Sequence, residues 1–257
     1  MASNIQLFLG DKPIGESYLG DKFTEYNISS SIPPAPVTIP QAGLQFWLDP
    51  TSYSGSGSKW LSTYGNATGS FTGSYIYSGS TFFNMNTSSV CQFNTTSSLD
   101  YGGLSQPNTL FVVGRSSGSA TDQHGRLLGG QNNWLMGTYG GGGGAGATEY
   151  QRSYYDGTFV INDTPYDTLW RVYTAVWQNG SSGSFFVNGQ WVAESTAAQS
   201  AFSNFSINNG AFQTGTAGGY GENTQADYGD IILYDRVLTK VEIAQVYDVI
   251  KSKYGLT

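Results

Sequence analysis

The chain of 257 residues has little charge: Asp, Glu, Lys and Arg make up 11% of it, with 18 acids against 11 bases and a net charge of −7. No stretch gathers Lys and Arg into a basic stripe. Phosphate contacts need such a stripe, so nucleic acid is not an expected partner. Long apolar runs are missing too. None approaches the ~20 residues of a membrane-spanning helix, so no membrane insertion is expected. The opening MASNIQLFLGDK lacks a basic segment followed by an apolar one, and no ordinary signal peptide is expected. Histidine and cysteine occur once each, as His124 and Cys91. One of each excludes an ordinary structural zinc site, and a single cysteine forms no internal disulfide. Cys91 reads as a small apolar filler. His124 sits in the turn-like SATDQHGRL with no Gly-x-Ser-x-Gly elbow nearby, which speaks against a Ser-His-Asp centre.

What the chain does have is aromatic residues, at 15%, and 35 glycines. Aromatic residues fit a pleated surface and glycine and asparagine serve tight turns, so the mix predicts strands rather than helices. The first residues repeat a phrase: Leu-Gly-Asp-Lys at 9–12 and again at 19–22. Ten residues equal about one seven-residue strand plus a three-residue turn, so 1–28 reads as a small three-strand meander turning at Gly10-Asp11 and Gly20-Asp21. Four of the eight prolines then fall in SSSIPPAPVTIP. Proline fixes φ and has no N–H, so 29–41 reads as an extended linker. From 42 to 257, short apolar runs alternate with Gly/Asn/Ser turns, as expected of an antiparallel sandwich or barrel. GLQFWLDP places Leu44, Phe46 and Leu48 on one strand face, and SGSFFVNGQWVA reads as a hairpin turning at Asn188-Gly189. One helix stands out. Thr239-Lys-Val-Glu242 has the pattern of a capping box; Ile243, Val246, Tyr247, Ile250 and Tyr254 then fall on one face, and Gly255 suits the C-terminal cap. That helix is expected to shield an edge or one end of the sandwich. The five glycines 140–144 lack the Lys-Ser/Thr and following helix of a phosphate loop, and read as a surface loop.

Several segments of 43–257 resemble the concanavalin A-like lectin/glucanase superfamily in its laminin-G-like form: GLQFWLDPTSYSGSGSKW, TLFVVGRSS, WRVYTAVWQNGSSGSFFVNGQWVAES and GDIILYDRVLTKVE. The resemblance implies an all-β fold, an antiparallel jelly-roll sandwich with one C-terminal helix, preceded here by the small N-terminal β-meander. The N-terminal phrase is similar to short Tyr-Leu-Gly-Asp repeats at the start of tailed-bacteriophage virion proteins. The order of repeat, proline spacer and sandwich implies a virion structural protein: a capsid decoration or a head or tail appendage at the virion surface. Three short strands cannot bury enough apolar surface alone, so residues 1–28 are expected to dock onto other virion proteins or onto copies of the same chain. Leu7, Leu9, Gly10, Asp11, Tyr18, Leu19, Gly20, Asp21 and Phe23 are the docking candidates.

The superfamily's laminarinase-type branch uses a Glu-x-Asp-x-x-Glu strand, which sets two carboxylates on one face. None of the six glutamates here has an Asp two residues later. The chain is therefore expected not to be an enzyme, with glycan hydrolysis left as an alternative because Asp residues from different strands can meet in space. No cofactor is expected to be required. The resemblance does allow a calcium ion, with Asp227 and Asp230, Asn223 near them, and Asp122 as oxygen ligands. It also allows recognition of a cell-surface polysaccharide, as in a host-receptor fibre or a free lectin. A sugar site needs an aromatic platform and amides, which Trp134 flanked by Asn132 and Asn133, or Tyr220 near Asn223, could supply.

Overall fold

A computed structural model describes residues 8–9, 12–13, 38–65, 67–79, 81–86, 90–93, 106–117, 126–130, 135–137, 150–155, 158–165, 168–178, 182–195, 205–207 and 225–256. The chain divides into two compact units, Met1–Pro36 and Val37–Thr257. In the first, β1 (Phe8–Leu9) and β2 (Lys12–Pro13) pair antiparallel, Phe8 opposite Pro13 and Leu9 opposite Lys12. The remainder of the expected meander lies outside the described residues.

The second unit contains β3 (Leu44–Leu48), β4 (Lys59–Leu61), β5 (Thr68–Thr72), β6 (Tyr75–Ser78), β7 (Phe82–Met85), β8 (Val90–Phe93), β9 (Asn108–Ser116) and β10 (Arg126–Gly130). These are followed by β11 (Leu135–Gly137), β12 (Tyr150–Tyr155), β13 (Thr158–Pro165), β14 (Arg171–Gln178), β15 (Ser182–Val187), β16 (Gln190–Ser195), β17 (Phe205–Ile207), β18 (Ala226–Tyr234) and the helix α1 (Lys240–Tyr254). One antiparallel sheet runs β13-β12-β11-β10-β17-β8-β5-β4, the other β16-β15-β14-β9-β18-β7-β6, with β3 also pairing β18. The fold is thus the expected all-β sandwich with a single C-terminal helix.

Two apolar layers explain the burial. The first lies between the sheets and includes Trp60, Phe83, Leu110, Val112, Tyr173, Phe185, Tyr228 and Ile231. The second lies on the outer face of the β9/β14/β18 sheet, where α1 packs Ile243, Val246 and Ile250 against Phe111, Val113, Val172, Phe186, Ile232 and Tyr234. Central strands covered on both faces are buried on both, so β18 is buried at all nine positions and β14 at six of eight, and the two acids of β18 need partners inside the protein. The helix therefore covers a sheet face, not an edge or end. The cause is legible in β9, where Leu110 and Val112 turn inward and Phe111 and Val113 turn outward, leaving an apolar outer face that only another element can cover. No helix among the described residues is long and apolar enough to cross a membrane.

The local signals hold. Thr239 caps α1, with the Glu242 carboxylate returning to the Thr239 N–H at 2.9 Å, and Gly255 closes the helix in the left-handed region at φ 62°. Asn188 and Gly189 turn the β15–β16 hairpin with φ of 51° and 73°. The Asn188 carboxamide oxygen also accepts from the Val172 N–H at 2.9 Å, tying the turn to the neighbouring strand β14.

Candidate functional site

The register of the helix-covered sheet aligns one row of side chains across four strands: Ile76 opposite Asn84, Asn84 opposite Asp227, and Asp227 opposite Arg115. This row lies on the outer face, because the neighbouring positions Tyr75, Phe83, Tyr228 and Gly114 alternate to the other side. Along β9, Val113 sits under the helix. Arg115, two residues on, emerges on the same face beyond it. At the same end of the face, Trp170 and Tyr254 pack against the helix-side core.

Arg115 is pinned. Its Nε donates to Asp227 Oδ2 at 2.7 Å, and the Asn84 amide donates to Asp227 Oδ1 at 2.6 Å. Asp227 is buried while the Arg115 side chain is 36% exposed, so the carboxylate is an internal anchor and the guanidinium faces the open side. Two rings flank that guanidinium. Its carbon lies 5.0 Å from the Trp170 ring centroid and 5.7 Å from that of Phe82. The two rings meet edge to face at 5.4 Å. Such contacts orient a cation over aromatic faces and add of order 1 kcal/mol each. Behind Trp170 lies a pocket of about 220 Å³ lined by Leu169, Trp170, Asn188, Tyr254 and Leu256 among others.

Tyr254 backs Trp170 at 5.1 Å and is itself fixed from below. Its hydroxyl donates to Asp230 Oδ2 at 2.7 Å and accepts from the Asp230 N–H at 3.0 Å. Asp230 is fully buried; Trp47 Nε1 donates to it at 2.6 Å. The Lys253 ammonium bridges it, at 3.0 Å, to Asp49, at 2.6 Å. Burial pushes the Asp230 carboxyl above the usual range, opposed by the Lys253 charge and the hydrogen bonds from Trp47 and Tyr254. Burial first, then the Asp230 charge, pushes the Tyr254 phenol up. A register shift between Tyr228 and Ile231 brings both Asp227 and Asp230 to the outer face although they are three residues apart. Gly229 sits in that shift, and a Cβ there would come within 2.3 Å of the Tyr254 hydroxyl.

Of the residues singled out from sequence, Asp227 and Asp230 are thus internal anchors beneath an arginine–aromatic cluster, each engaged by a cation of the protein. Among the described residues, no three His, Cys, Asp or Glu side chains gather as a metal site. Asn132, Trp134, Tyr220, Asn223 and Asp122 lie outside the described residues, as do Leu7, Gly10, Asp11, Tyr18, Leu19, Gly20, Asp21 and Phe23; Leu9 lies in β1. Sequence reasoning missed Arg115, Phe82, Asn84 and Trp170. The available signal was an arginine closing an otherwise apolar strand, TLFVVGR, which carries no information about its partner 112 residues away.

No family model and no curated protein matches the sequence. Solved structures do match in fold. Domain 4 of AbnA, a GH43 extracellular arabinanase from Geobacillus stearothermophilus solved in complex with arabinotriose, is similar with a TM-score of 0.55 and 12% identity over 80% of this chain and 98% of that one. The binding domain of Paraclostridial Mosquitocidal Protein 1 gives a TM-score of 0.58 at 13% identity, over 81% of this chain and 52% of that one. A Trypanosoma rangeli sialidase mutant displaying trans-sialidase activity gives 0.55 at 16% identity, over 84% of this chain. This chain spans about a third, 34%, of that sialidase. The likeness is one of fold. It carries the sequence resemblance as far as the β-sandwich; neither the laminin-G-like subclass nor a virion context is among these neighbours. It also corrects the expectation that the chain is not an enzyme. The solved structures that share this fold include a sialidase and part of an arabinanase, and a missing Glu-x-Asp-x-x-Glu strand spoke only against one arrangement of carboxylates.

Proposed function

We propose that the sandwich recognises glycans on the outer face of its helix-covered sheet. Trp170 and Phe82 supply flat apolar surface for a sugar ring, and Arg115 and Asn84 supply hydrogen bonds to its substituents. One observation carries this reading: a partly exposed arginine anchored from behind by a buried carboxylate and flanked by two aromatic rings. A group held in advance loses little freedom on binding, and such pre-organisation favours specific recognition. The whole-domain likeness to an arabinanase domain solved with arabinotriose supports the same ligand class. The test is a glycan array probed with the full chain. Binding to a defined group of glycans is expected, and a blank array at millimolar sugar ends the reading. Glycan cleavage is the second reading, favoured by the enzymes among the structural neighbours. Release of reducing ends from the glycans that bind is the measurement that would carry it.

The finer setting is also a proposal. The repeated Leu-Gly-Asp-Lys and the proline-rich spacer support a chain mounted by residues 1–28 on other virion proteins or copies of itself, displaying the sandwich at a virion surface towards a cell-surface polysaccharide. Deleting 1–28 is expected to leave a folded sandwich that no longer joins the particle; normal incorporation of the truncated chain would contradict this.

A further inference from the structure

Arg115 reaches the open face with one side of its guanidinium already engaged. Nε is bonded to Asp227, whose second oxygen takes the Asn84 amide. No described residue accepts from either Nη nitrogen. A guanidinium held through Nε presents its Nη edge as a rigid two-pronged donor, and that spacing matches the two oxygens of a carboxylate, giving paired parallel hydrogen bonds. A neutral hydroxyl uses only one prong. Trp170 and Phe82 flank the fork, and their apolar rings lower the local dielectric and strengthen a charged hydrogen bond made between them. Asp227 offsets part of the arginine's charge, but it is buried behind the fork and shared with Asn84, so an incoming carboxylate meets the Nη edge first. The chain's net charge of −7 repels polyanions in general, so selectivity for an acidic sugar has to come from this local fork and not from the field of the whole molecule.

We infer that the site selects glycans carrying a carboxylate, of the uronic-acid type, with the carboxylate on the Arg115 Nη edge and the sugar ring against Trp170. The inference rests on the glycan reading above and narrows its ligand class.

The test compares trigalacturonic acid with its methyl triester, which has the same sugars without the negative charge, by calorimetric titration of the full chain. Arg115→Met strands the buried Asp227 and lowers stability, so Arg115→Lys, which keeps a cation beside that carboxylate and loses the fork, carries the comparison. The wild type is expected to bind the acid at least about tenfold more tightly than the ester. Arg115→Lys is expected to weaken the acid about tenfold more than it weakens the ester, so that the preference for the acid is lost. Trp170→Ala is expected to weaken both. If acid and ester bind alike and Arg115→Lys changes neither, the carboxylate inference is overturned and glycan recognition stands. If neither trisaccharide binds while neutral glycans bind on the array, the result is the same. A blank array overturns both.

Discussion

At the scale of single residues, the structure turns on two buried carboxylates and the cations that hold them. Asp230 has no exposed surface, and Lys253, 24% exposed, supplies the one positive charge shared by Asp230 and Asp49. Replacing Lys253 by Met leaves Asp230 buried and unpaired, and is expected to cost about 3 kcal/mol in denaturant titration, the low end for such pairs because the lysine is partly wet. The pH dependence follows from the sign of the shift. A carboxyl whose folded pKa is raised contributes stability that is fully present below its unfolded value of about 3.9 and is lost as pH rises through the folded value. The Lys253→Met deficit is therefore expected to be larger at pH 7 than at pH 4; an equal deficit at both would contradict the assignment. Gly229→Ala probes the same place without touching charge. Its Cβ would meet the Tyr254 hydroxyl at 2.3 Å and the ring carbon bearing it at 2.5 Å, displacing the ring that backs Trp170. Reduced glycan affinity together with a loss of about 1–3 kcal/mol is expected. Asp227 and Asp230 were visible in the sequence as acids worth attention. Their use was not, because an isolated acid reads the same whether its partner is a calcium ion or an ammonium group supplied from elsewhere in the fold.

At the scale of elements, α1 shows which signals a sequence carries well. Capping and apolar spacing act over three or four residues, so Thr239, Glu242, Ile243, Val246 and Ile250 could be read directly. Where the helix lies depends on side chains of β9, β14, β15 and β18, scattered from Phe111 to Tyr234, and this was misjudged. The short β4 and the edge strand β13, whose TFVINDTP contains an acid and a proline, carry little local strand signal: pairing across the sheet, not local preference, makes them strands. The cap gives a second pH prediction. The Arg236 hydrogen bond, first, and the Thr239 N–H hold the Glu242 carboxyl down at about 2. A depressed carboxyl contributes stability that is full above its unfolded value of about 4.3 and fades as pH falls towards 2. The pair is a quarter exposed on each side, so solvent reduces its worth to about 1 kcal/mol. Glu242→Gln is expected to flatten the acid limb between about pH 4.5 and 2 and leave the neutral-pH melting point lower by a few degrees.

At the scale of the whole molecule, the sandwich class was legible because turn signals recur every few residues over two hundred positions. The candidate site was not, because Phe82, Asn84, Arg115, Trp170 and Asp227 come from three strands and the loop before β14 and meet only through register. The two compact units predict separable stability. Removing residues 1–36 is expected to leave the melting midpoint of the remainder within about 2 °C, checked by calorimetry. The central claim is that glycans are recognised at Trp170. Another tryptophan, Trp191, 49% exposed, stands on edge strand β16 with Lys240 5.8 Å from its ring centroid, at the other end of α1, and serves as an internal control. The most direct measurement is one glycan array probed in parallel with the wild type, Trp170→Ala and Trp191→Ala. The account predicts the same bound glycans for wild type and Trp191→Ala, and loss of those signals for Trp170→Ala. Retention by Trp170→Ala, or loss confined to Trp191→Ala, would contradict it.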